Sequence, residues 1–148
     1  PEALLRAALV TGSETYRDVG LQATEFLASA THARAVFEPV GNKGWYDKGG
    51  QRAKYDQQPI EACGMVDLWL AAERMNPQGR QHQKALEAFA WFVGLNSDNL
   101  KVAVPEIGGC HDGLLPGGLN PNMGAESTLS YVHAHAAVAI ASKKKQPA

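Results

Sequence analysis

Two stretches of the chain put carboxylates and amides where a loop turns into a helix. The first is Tyr55-Asp56-Gln57-Gln58-Pro59-Ile60-Glu61-Ala62. The second is the glycine-rich run from Gly108 to Glu126, which carries His111, Asp112, Asn120 and Asn122. They share a register, because Gln57 plus 65 is Asn122 and Glu61 plus 65 is Glu126. Polar side chains on a loop that rigid helices hold in place are a common way to build a site. The chemistry such a set allows is acid–base work, in which one carboxyl gives a proton and another takes one. Asp112, in a glycine-flanked loop, and Glu61, at a firm helix start, form the candidate acid and base; Asp56 and Glu126 are the further carboxylates.

The elements that must position these groups are helices. Pro1 to Val10 is an apolar helix tail that stops at Thr11-Gly12, and Ser13 has the side chain to cap the next helix, which runs to about Ala30. Residues 32–55 break the helical period with Gly41, Gly44, Gly49 and Gly50, which predicts a long loop with one short strand at Val36–Val40. Gln57 to Asn76 is the third helix, with Pro59 tolerated in its first turn. A fourth runs from about Gln81 to Asn96, then a long loop over 97–123, then a last helix over Ala125–Ser142. Leu21-Gln22-Ala23-Thr24-Glu25-Phe26-Leu27 matches Leu86 to Phe92 in pattern, again 65 residues on. Long loop, helix, turn, helix is therefore the repeating unit, which predicts stacked helical hairpins with equivalent loops on one rim.

The chain has 148 residues, of which 45% are hydrophobic and 20% charged, enough for one domain with a core; its net charge is −1. That balance argues against nucleic acid or an anionic membrane as partner. No apolar run approaches the roughly 20 residues of a membrane span, so a soluble chain is expected, and two cysteines whose context demands no disulfide make a reducing cytoplasm the default expectation. Cys63 and Cys110 are read as reduced thiols. No metal is expected: Cys110, His111 and Asp112 are adjacent, and His133 and His135 point to different sides of one helix. Gly49-Gly50 and Gly117-Gly118 lack the setting of a phosphate loop, so no nucleotide cofactor is expected either. Lys143-Lys144-Lys145 with Gln146-Pro147-Ala148 reads as a solvated tail, 143–148, after a single domain over 1–142.

The linked runs Phe37-Glu38-Pro39-Val40-Gly41-Asn42-Lys43-Gly44-Trp45-Tyr46, Tyr55 to Ala62, Phe89 to Asn96, Gly108 to Leu114, and Asn120, Asn122 and Gly124 to Leu129 form a set. That set resembles the C-terminal α/α-toroid domain of bacterial glycosyltransferase-like and glycosidase-like proteins, a ring of helical hairpins similar to six-hairpin glycosidases. The resemblance implies an all-α fold, a partial toroid of about five helices with long loops and one short strand or hairpin. It also implies a carbohydrate ligand. At 65 residues per hairpin a closed ring needs about 390 residues, so the chain is expected to be the last part of a longer toroid, completed by its remaining hairpins or by self-association.

Sugars are held by aromatic faces and by side chains that pair with hydroxyls, and glycoside chemistry adds two carboxylates. Trp45, Tyr46 and Tyr55 are the candidate platforms, and Gln57, His111, Asn120 and Asn122 the candidate hydroxyl partners. Each has a plainer alternative. Glu61 and Glu126 suit helix starts, Asp56 suits a cap, and Asp112 before Gly113 and the two asparagines suit turns. Trp69, Phe89, Trp91 and Phe92 are assigned to the core. Two functions stay open: an enzyme wall, or a carbohydrate-binding or scaffold module without chemistry.

Overall fold

The computed structural model, which describes residues 1–32 and 36–145, is mainly α-helical. Its five helices are α1 (Glu2–Thr11), α2 (Glu14–Thr31), α3 (Pro59–Met75), α4 (Gln81–Ala90) and α5 (Ala125–Lys143). Ser13 caps α2 as expected, its hydroxyl accepting from the Tyr16 N–H at 3.3 Å. The spine is α3, which packs on α1, α4 and α5. Ala62, Val66, Leu68, Trp69 and Ala72 are all buried along it, as a helix apolar on nearly every side requires. Trp91, Phe92, Phe37 and Leu5 complete the core around it, and the assignment of Trp69, Trp91 and Phe92 to the interior holds.

Three local expectations need correction. Residues 36–40 form no strand; Phe37 is buried there and Glu38 is tied to Arg52 by a 2.7 Å ion pair, so the segment is pinned by side chains. The loop over 97–123 instead contains two antiparallel hairpins. In one, β1 (Ala103–Val104) pairs with β2 (Gly109–Cys110); in the other, β3 (Leu114–Leu115) pairs with β4 (Gly118–Leu119). Cys110 and Leu114 are wholly buried, so each hairpin has one side anchored in the core. The fourth helix ends at Ala90 and tightens into a 3₁₀ turn over Trp91–Val93. The buried Asn96 amide donates to the Trp91 and Leu100 carbonyls at 2.8 and 2.7 Å, closing that end.

The repeat survives, but its register slips. From Pro59 to Ala125 is 66 residues and from Glu14 to Gln81 is 67, against the 65 of the sequence match. Glu61 is therefore the third residue of α3, whereas Glu126 is the second of α5. One residue turns a helical side chain by about 100°, so the two carboxylates do not occupy equivalent faces.

His133 of α5 meets Asp67 of α3, and further along Lys145 meets Glu73. Partners that advance together mean that α3 and α5 run parallel, so both loop-to-helix junctions open at one end of the array. The second contact also revises the tail: Lys145 is held by Glu73, while residues 146–148 lie outside the described residues.

Candidate functional site

The two stretches that share a register in the sequence are bonded to one another. Gln57 pairs with Leu114 in an antiparallel bridge, and the Asp56 N–H also donates to the Leu114 carbonyl at 3.0 Å. On the other side the Asn42 N–H donates to the Asp56 carbonyl at 2.9 Å. Three segments thus lie side by side ahead of α3. Two glycines make this possible. A Cβ on Gly41 would lie 2.0 Å from the Tyr55 carbonyl oxygen, and one on Gly113 would lie 2.2 Å from that of Gln57.

Gln57, expected to touch ligand, is instead the hub of this arrangement. It is wholly buried, its Nε2 donating to the Lys54 carbonyl at 2.9 Å and to Ser97 at 3.1 Å. Its Oε1 accepts from Trp91 Nε1 at 2.9 Å. A wholly buried amide with these bonds made stabilises the fold and presents no surface to a sugar.

Asp112 also serves the helix. Its two oxygens accept from the Gly124 N–H at 2.7 Å and from Asn122 Nδ2, and Ser127 adds a third bond. Gly124 is the α5 cap residue and has no side chain, so Asp112 supplies the oxygen from twelve residues away. The Ser127 hydroxyl, the Gly124 N–H and the Asn122 amide hold the Asp112 carboxyl below its ordinary 3.8, which makes it a carboxylate rather than a proton donor. Asn120 closes a turn by accepting from the Asn122 N–H at 3.0 Å, and its carbonyl accepts from His111 Nδ1 at 2.8 Å. Asn120 is thus a turn former, the plainer reading, while the Asn122 side chain holds Asp112. Asp112→Ala should destabilise the chain by about 1–2 kcal/mol, the usual loss on removing an N-terminal cap, measurable as a lower urea midpoint. The loss should fade as the pH falls below about 3.8, because the depressed carboxyl stabilises only while it is ionised.

Asp56 is the carboxylate whose charge reaches Glu61. Burial pushes the Glu61 carboxyl up from 4.5 to about 7, opposed by the Gln58 N–H at 3.3 Å and assisted by the charge of Asp56. Asp56 is held by the Asn42 amide at 3.3 Å and has φ 59°, one of three such non-glycine residues among those described. Trp45, at φ 57°, is another. Left-handed conformations in side-chain-bearing residues carry about 1–3 kcal/mol of strain and gather at ligand sites.

Glu61 lines a groove of about 500 Å³ whose walls include Leu27, Thr31, Phe37, Val40 and Met65. Of the four predicted acids only Glu61 lines it; Asp56, Asp112 and Glu126 do not, and Glu126 is exposed, so the expected common hollow for four acids is not formed. The aromatic platforms are on the 41–55 loop and none of them lines the groove. Tyr46 stacks on the exposed Phe26 of α2 with ring centres 6.1 Å apart. Trp45 is 64% exposed, and Tyr55 lies half-buried beneath the Lys54 ammonium.

Asn42 was missed; its only signal was a place between Gly41 and Gly44, opposite a partner fourteen residues away. The groove walls were invisible in the sequence, since their spacing is that of any core stripe. No protein-family model, curated protein or solved structure matches the chain.

Proposed function

We propose that the chain is part of a carbohydrate-active α/α toroid, in a glycosyltransferase-like or glycosidase-like protein, in which Glu61 is the proton donor to a sugar and Asp56 the companion carboxylate. The observation that carries this is Glu61 itself, a half-buried carboxyl raised to about 7 at the edge of a groove. A neighbouring pair of acids whose environments hold one protonated near neutrality is the equipment of glycoside chemistry. Trp45 and Tyr46 are the stacking faces for the sugar. Exposed Tyr16, Val19 and Phe26 on α2, and Leu129, Val132 and Ile140 on α5, support further hairpins or a second copy packing there. Buried, unpaired Cys63 and Cys110 support a reducing, cytoplasmic setting.

A second reading is favoured by a different fact. Asp112, Asn120 and Asn122 are occupied with one another, which leaves few polar groups for a reaction and suits a binding module. Calorimetric titration of the full-length protein with a panel of oligosaccharides, run beside a product assay, separates the two. Binding should weaken about fivefold in Trp45→Ala or Tyr46→Ala, as for the loss of one aromatic contact of about 1 kcal/mol. Heat without product supports the module, and neither heat nor product across the panel would sink both.

A further inference from the structure

The helix α3 presents two separate stripes. Glu61, Gly64, Met65 and Leu68 face the groove described above, while Cys63, Asp67, Leu70 and Arg74 run down another side. On that second side Cys63 and Asp67 are one turn apart, so their side chains stack on one face. His133 reaches them from the parallel helix α5, its Nε2 lying 3.0 and 2.8 Å from the two Asp67 oxygens. One donor atom from each of the three side chains lies within 4.8 Å of the others.

We infer that Cys63, Asp67 and His133 form a binding site for a divalent transition-metal ion, with Zn²⁺ as the fitting ion. Tetrahedral zinc with bonds of about 2.0–2.3 Å sets its ligand atoms about 3.3–3.8 Å apart, so the separations here close with side-chain adjustments of about 1 Å. A thiol, an imidazole and a carboxylate together suit zinc and are a poor set for Mg²⁺ or Ca²⁺, which take oxygen. Three protein ligands leave a fourth position. Asp67 and His133 both line a second groove, of about 460 Å³, so that position faces solvent and takes water or an oxygen ligand. The Cys63 thiol is protonated beforehand; its proton leaves to solvent as the sulfur–metal bond forms, and the Asp67–His133 contact opens to admit the ion. Nothing in this depends on the sugar reading, because it uses none of the same residues.

The test is titration of chelator-treated full-length protein with Zn²⁺ by calorimetry and with Co²⁺ by absorption, where a thiolate ligand gives a charge-transfer band. The expected result is one ion per chain with that band present. His133→Ala and Cys63→Ser should each weaken binding by about tenfold or more, while Cys110→Ser leaves it unchanged. His133 is exposed, so His133→Ala keeps its fold and remains informative even where Cys63→Ser does not. Absence of saturation at millimolar zinc, absence of the band, or affinity unchanged in His133→Ala would overturn the site.

Discussion

Glu61→Gln should make the full-length protein more stable above neutrality while lowering its turnover of a carbohydrate substrate by about 100- to 10,000-fold, the range for loss of a general acid. The sign of the stability change follows from the direction of the shift. Burial raises the Glu61 carboxyl from 4.5 to about 7, so the folded chain holds this proton more tightly than the unfolded chain does. Its contribution is complete below about 4.5 and is lost as the pH rises through about 7. Glutamine remains uncharged throughout and still offers an oxygen to the Gln58 N–H. The variant's advantage should therefore be on the order of 2 kcal/mol near pH 8, discounted for the solvent around a half-buried group, and vanish below about pH 4.5. Urea unfolding across that range measures it. A pH-dependent gain with unchanged turnover would leave Glu61 a buried helix-start residue and remove it from the chemistry.

Gly113→Ala should destabilise the chain by at least about 3 kcal/mol and disorder the connection between the 108–124 segment and α3. Two effects add there. Gly113 has φ 152°, and its Cβ would lie 2.2 Å from the Gln57 carbonyl oxygen, a backbone atom that cannot turn aside. Gly117 provides the comparison, since it has φ 89° but nothing within 4 Å of the added carbon. Gly117→Ala should lose only about 1 kcal/mol, from backbone strain alone. Denaturant midpoints for the two variants give the difference. Equal losses would mean that the approach of Gly113 to Gln57 contributes nothing, and with it the role of the bridge to Leu114.

Much of the helical layout is legible in the chain because it rests on local chemistry. Ser13 beside an amphipathic run, Pro59 in a first turn and glycine at Gly12 are signals that act within a few residues, and the structure places helix ends there. Apolar positions in α3 likewise announce burial, since a helix apolar on nearly every side has to be covered. Asp112 shows where local signals fail. Its neighbours read as a turn, and its role as the cap of α5 depends on Gly124 folding back to it across two intervening asparagines.

By itself the sequence determined that the protein is mainly helical, where the helices start, and that two polar junctions fall a repeat apart. Those are properties of short windows, set by backbone sterics, capping and hydrophobic period. Only the tertiary structure decided what the polar groups do. It buried Gln57 against Trp91, turned Glu61 and Glu126 to different surroundings, and brought His133 to Asp67 across 66 residues of chain. Burial and separation of charge set proton affinity and reach, and both depend on which segments pack together, which no local spacing encodes.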